Sequence, residues 1–155
     1  MKRVFGVLLG LLLAFCLTAC GGGQAIPEPA NEAETEEQTV TKLNVQIGGA
    51  AFTATLEENP AADAFAELLQ SAPVIITMRD YSGFEKVGAL GATLPADDSQ
   101  LTTHAGDIVL YGGDQIVLFY GSNSWSYTRL GKVDDLSGWE DALDGDDVSV
   151  TFSMD

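Results

Sequence analysis

The sequence predicts a mainly β protein: a closed antiparallel barrel of about eight strands with a helix covering each end. Three observations predict it. Short runs with a two-residue apolar period recur from Lys42 to the C-terminus, separated by Gly-, Asn- and Asp-containing turns. Only two segments carry helical spacing. One falls between the second and third strands and the other just before the last, so each can cover one open end of a barrel.

Each element follows from its residues. Leu43, Val45 and Ile47 alternate with Lys42, Asn44 and Gln46, and Gly48-Gly49 turns the chain into Phe52, Ala54 and Leu56. Asn59-Pro60 starts a helix, Asn as the cap and Pro at the first helical position. Ala61, Phe65, Leu68 and Leu69 give that helix one apolar stripe, and Pro73 closes it. Val74, Ile76 and Met78 make a third strand, and Tyr81-Ser82-Gly83 a turn. Residues 84–90 form a weaker strand, and residues 91–106 read as a loop. Ile108, Val109, Leu110 and Tyr111 face Ile116 to Tyr120 across Gly112-Gly113-Asp114. These two strands are apolar at consecutive positions, so both of their faces need cover. Residues 125–133 continue as a strand. Leu136, Trp139 and Leu143 space a short helix capped by Asp135, with Gly145 past its end. Val148, Val150 and Phe152 form the last strand.

The 155 residues are enough for one domain, with no internal repeat. Seven Lys and Arg against 23 Asp and Glu give a formal net charge of −16. That excludes nucleic acid as a partner, because phosphates need clustered cations to displace counterions. It equally excludes docking on anionic lipid through a basic face. The two cysteines, Cys16 and Cys20, both precede the folded part, which therefore has no thiol and no disulfide.

Lys2 and Arg3 precede an uncharged, proline-free run from Val4 to Leu17, the length of an export signal and too short to span a bilayer. Leu17-Thr18-Ala19-Cys20-Gly21 resembles a bacterial lipobox. The resemblance implies cleavage before Cys20, lipid on its sulfur, and a chain exported and anchored to the outer side of the cell membrane. Cys16 reads as filler of the apolar run. Residues 20–41 read as the lipidated Cys and an acidic tether: Gly21-Gly22-Gly23, Pro27, Pro29 and five glutamates, with no aromatic. As a coil it would span about 25 Å. The domain boundaries expected are thus 1–19, 20–41 and 42–155.

The order strand, strand, helix, several strands, helix, strand is similar to that of cyclophilins. The stretches FTATLEENPAADAFAELL, GDIVLYGGDQIVLFYGSNSWSYTRLG and DDVSVTFS resemble the bacterial cyclophilin-like domain family over roughly residues 42–153. The resemblance implies a cyclophilin-type barrel. It carries over no catalytic residue. True cyclophilins place Phe-His-Arg and Gln-Gly-Gly-Asp-Phe stretches after the first helix, where this chain has Ile76-Thr77-Met78-Arg79-Asp80.

Two clusters are candidates for binding. Tyr120, Asn123, Trp125, Tyr127 and Arg129 surround one tight turn, and Arg79, Tyr81, Phe84 and Glu85 another. Aromatic rings beside an Arg make a pocket for a proline ring or other flat apolar group. The same rings also suit packing at a barrel rim, and either Arg has acids near enough to pair with, such as Asp80 or Glu85. Arg79 and Arg129 are the candidate catalytic residues, and Tyr81, Phe84, Tyr120, Asn123, Trp125 and Tyr127 the candidate groove.

Other chemistries lack their residues. His104 is the sole histidine, without the partners of a zinc site, and no Gly-x-Ser-x-Gly elbow accompanies it. Asp134-Asp135 and Asp144 to Asp147 do not follow a calcium-loop pattern and read as solvated turns. No phosphate loop is present, and no metal or cofactor is expected. Two function classes follow. One is a tethered, non-catalytic module that binds a peptide, a protein or a small ligand. The other is a weak prolyl isomerase acting on exported chains.

Overall fold

The computed structural model describes residues 40–155. The expected signal, Cys20 and all of the tether but Val40 and Thr41 lie outside the described residues. The chain runs β1 (Lys42–Ile47), β2 (Ala50–Leu56), α1 (Pro60–Ser71), β3 (Val74–Tyr81), β4 (Glu85–Ala89), β5 (Ser99–Thr102), β6 (Asp107–Tyr111), β7 (Gln115–Phe119), β8 (Ser124–Val133), α2 (Trp139–Ala142) and β9 (Asp147–Met154). Eight of these strands close antiparallel in the order β2-β1-β9-β3-β4-β7-β6-β8, with β8 returning to β2. The barrel expected from the sequence is therefore the fold.

The closing seam is short. Ala54, Thr55 and Leu56 pair with Val133, Lys132 and Gly131. A Cβ on Gly131 would lie 2.5 Å from the Thr55 carbonyl oxygen and 3.2 Å from the Leu56 Cα, so only glycine lets the two backbones meet here. The β6–β8 register shifts at the same point, from Ile108 opposite Gly131 to Val109 opposite Arg129. Such a bulge bends a strand, and β8 serves two partners by bending.

Ile108, Leu110, Ile116 and Leu118 point into the barrel core with Leu43, Val45, Met78 and Phe152. The residues at alternate positions, Val109, Val117 and Phe119, join Tyr127 in a second cluster on the outer wall. The continuous apolar runs of β6 and β7 thus answer to cover on both faces, as expected.

The Asn59 side chain accepts a hydrogen bond from the Ala62 N–H at 2.9 Å and caps α1. The helix buries Ala61, Ala62, Phe65, Ala66 and Leu69, and Phe65 meets Phe152 edge-on at 5.6 Å. Leu68, expected in the stripe, is only partly buried. At the opposite end Trp139 of α2 meets Phe52 edge-on at 4.9 Å, and its Nε1–H donates to the Phe119 carbonyl at 2.8 Å. This helix is shorter than the sequence spacing suggests. Asp135 caps a turn instead, accepting from the Ser137 N–H and hydroxyl at 2.9 and 2.7 Å. Gly138, at φ 77°, is the residue before the helix, and Leu136 stays 41% exposed. A second correction concerns residues 91–106, which hold β5. Its polar sequence SQLT has no apolar alternation; it is a strand because Ser99 to Thr102 pair with Tyr127 to Ser124 of β8.

Gly131→Ala forces the seam apart, and we expect it to lower the unfolding free energy by about 1–3 kcal/mol. Urea unfolding followed by circular dichroism measures this; an unchanged midpoint would mean the seam tolerates a side chain.

Candidate functional site

A groove of about 460 Å³ lies on the outer wall of the barrel, across β4, β6, β7 and the start of β8. Its position follows from strand alternation. Lys86 and Gly88 of β4 turn inward, so Glu85 and Val87 turn outward, beside Val117 of β7 and Tyr127 of β8. Tyr81, Phe84, Tyr111 and Trp125 form its aromatic walls. Tyr81 and Trp125 are 59% and 56% exposed, large rings left uncovered in an otherwise well-packed domain.

Local contacts hold the rim in place. The Phe84 carbonyl accepts from the Tyr120 and Gly121 N–H groups at 3.1 and 2.9 Å. A Cβ on Gly121 would come within 2.7 Å of the Phe84 Cβ, so glycine lets this turn close onto the end of β7. Opposite, the Asn123 N–H donates to the Thr103 hydroxyl at 3.1 Å, and the Asn123 Nδ2 to the Tyr127 hydroxyl at 3.0 Å.

The floor carries one charged residue. Glu85 is 5% exposed and accepts a bond from the Tyr127 hydroxyl at 3.3 Å. Burial pushes its carboxyl above the usual range, against the pull of that bond. The Tyr127 hydroxyl is in turn pushed up to about 12, by burial and by Glu85 beside it, so it remains a donor at neutral pH.

The neighbouring residue on β4 has the opposite fate. Lys86 is fully buried at the barrel end. Its ammonium donates to Asp80 Oδ1 at 3.1 Å and to the Gly145 carbonyl, and lies 5.7 Å from the centre of the Tyr120 ring. Tyr120 donates its hydroxyl to the same Asp80 oxygen. The Tyr120 hydroxyl and the Lys86 ammonium together hold the Asp80 carboxyl below its usual range. Burial first, and Asp80 second, push the Tyr120 hydroxyl up to about 12.

The structure brings five of the six expected groove residues together: Tyr81, Phe84, Asn123, Trp125 and Tyr127. Tyr120 is a correction. It packs over Lys86 at the barrel end because Phe119 before it faces the outer wall, and alternation turns Tyr120 to the opposite face. Neither arginine lines the groove. Arg129 is bonded to Asp107 at 3.2 Å and to the Thr102 carbonyl at 3.4 Å. Arg79 is exposed on the outer face of β3, opposite Val87, and pairs with neither Asp80 nor Glu85. Sequence reading missed Val87, Tyr111, Gln115 and Val117 in the lining. Val117 carried a signal, since residues that make both faces of a strand apolar mark a covered outer wall; Val87, in the mixed run Glu85–Ala89, carried none. Among the described residues, no three His, Cys, Asp or Glu side chains come together to hold a metal ion.

The closed antiparallel barrel with two helices sets the fold class. A model of the cyclophilin-like family matches residues 45–153, and the chain belongs to that family. A solved structure of similar fold is that of a hypothetical protein from Archaeoglobus fulgidus. It is 16% identical with a TM-score of 0.54, and the match covers 78% of this chain and 99% of that one. No curated protein matches the chain.

Because the folded pKa of Glu85 lies above its unfolded value, its contribution to stability is most favourable below the ordinary glutamate range. It falls as pH rises through the folded pKa. Glu85→Gln keeps an acceptor for Tyr127 and removes the buried charge. It should raise the melting temperature at pH 7 and leave it unchanged near pH 3, below the usual glutamate pKa of about 4.3. Calorimetric melts at the two pH values test this.

Proposed function

We propose that the chain is an exported, lipid-anchored binding protein whose outer-wall groove takes an extended peptide or protein segment without isomerising it. The observation that carries this is the groove itself: a floor of Val87 and Val117 beside Glu85, aromatic walls, and no guanidinium in the lining. Prolyl rotation faces a barrier of about 18–20 kcal/mol. A cyclophilin-type site lowers it by pinning the proline and aiming a guanidinium at the prolyl nitrogen, an electrostatic effect that needs the group fixed in a dry site. Arg129 is occupied by Asp107, and Arg79 is exposed.

One observation favours weak isomerase activity as the second reading. Arg79 sits opposite Val87, a groove residue, so a bound proline would lie one strand away from it. The test is a proline-peptide isomerisation assay with Arg79→Ala and Arg129→Ala alongside. We expect peptide binding, read from Trp125 fluorescence, with isomerisation far below that of a true cyclophilin. Full cyclophilin-level catalysis abolished by either substitution would overturn the ranking and name the catalytic residue.

The anchor rests on the lipobox-like Leu17 to Gly21. Cys20→Ala should move the protein from the membrane to the soluble fraction on ultracentrifugation, and an unchanged distribution counts against the anchor.

A further inference from the structure

The groove pairs a buried acid with exposed aromatic rings. Glu85 is the one charged residue in its lining, and among the described residues no Lys, Arg or His forms an ion pair with it. Its hydrogen bond comes from a neutral hydroxyl, that of Tyr127 at 3.3 Å. The other buried acid, Asp107, shows how this fold otherwise treats such a group. It has Arg129 at 3.2 Å and Lys132 at 3.6 Å. The inward-facing charge on the same strand, Lys86, likewise has Asp80 at 3.1 Å. Glu85 thus stands out as a desolvated charge facing a cavity with no counter-charge from the chain.

The geometry points to a lysine side chain of a bound peptide as that counter-charge. This deepens the binding reading and rests on it. An ammonium entering the groove meets the exposed rings of Tyr81 and Trp125, aromatic systems whose quadrupoles attract cations. It then reaches a carboxylate whose burial strengthens the pairing. The four-carbon stem of lysine suits the apolar floor at Val87 and Val117. A peptide is favoured over a free amine by Gln115, whose half-buried side-chain amide lines the groove. An amide both donates and accepts, which matches a peptide group beside the lysine. The net charge of −16 adds attraction for such a segment at a distance.

The test uses the full chain and isothermal titration calorimetry with three probes: acetyl-Gly-Lys-Gly-amide, its norleucine counterpart of similar shape without charge, and n-butylammonium. We expect the lysine peptide to bind at least tenfold more tightly than the norleucine peptide, and more tightly than n-butylammonium. Glu85→Gln should abolish the preference for lysine over norleucine while circular dichroism stays unchanged. Trp125→Leu, which keeps an apolar wall without a ring face, should weaken the lysine peptide more than the norleucine peptide. Equal binding of the two peptides, or a preference that survives Glu85→Gln, overturns the proposal. So does n-butylammonium binding as tightly as the lysine peptide. Absence of lysine-peptide binding while a proline peptide still perturbs Trp125 overturns this inference alone. If no peptide binds at all, the groove reading falls with it.

Discussion

The fold depends on a seam three residues long. Where Ala54, Thr55 and Leu56 meet Val133, Lys132 and Gly131, an open sheet becomes a ring. Closure satisfies the backbone groups of two strands that would otherwise be edges. It also creates two ends, which Phe65 on α1 and Trp139 on α2 fill. Gly131 is where these demands converge, since it admits the β2 backbone and marks the register shift against β6. β8 bends there, and its first half is free to leave the ring and pair with β5 over the outer wall.

That departure makes the groove. Once Tyr127 lies over Val109, Val117 and Phe119, the outer wall has its own small core, and the strip beside it becomes a floor. The two-residue period of β4 then sorts adjacent charges by environment. Lys86 goes inward, where Asp80 and the Gly145 carbonyl satisfy it. Glu85 goes outward, to a cavity where a tyrosine hydroxyl is its donor. Burying a paired charge mainly fixes geometry, whereas burying an unpaired one leaves a preference for whatever arrives with the opposite sign.

The positions of the arginines are what the proposed reading, binding without catalysis, rests on. A guanidinium accelerates prolyl rotation only if it is held at the reacting nitrogen while water is excluded. Arg129 is bound to Asp107 and lies outside the groove lining, and Arg79 stands exposed on β3 opposite Val87. Family membership therefore sets the scaffold, and the proposed binding role rests on the residues of the wall.

The barrel was legible in the sequence because its signals are local. Alternation marks strands, Asn59-Pro60 marks a helix start, and runs apolar on both faces mark strands covered on both sides. The aromatic rim was legible for a similar reason, as Trp125 and Tyr127 share one face two residues apart, and Tyr81 and Phe84 flank one turn. Three things were decided only by packing. β5 is a strand because β8 offers it a backbone ladder, not because SQLT prefers one. Tyr120 leaves the groove for Asp80 and Lys86, on the face opposite to that of Phe119. Lys86 is buried and Glu85 left unpaired because charge partners come from Asp80 and the turn at Gly145, and the latter lies far away along the chain. Sequence spacing fixes which face of a strand a side chain takes; which charges wait on that face depends on strands joined only when the ring closes.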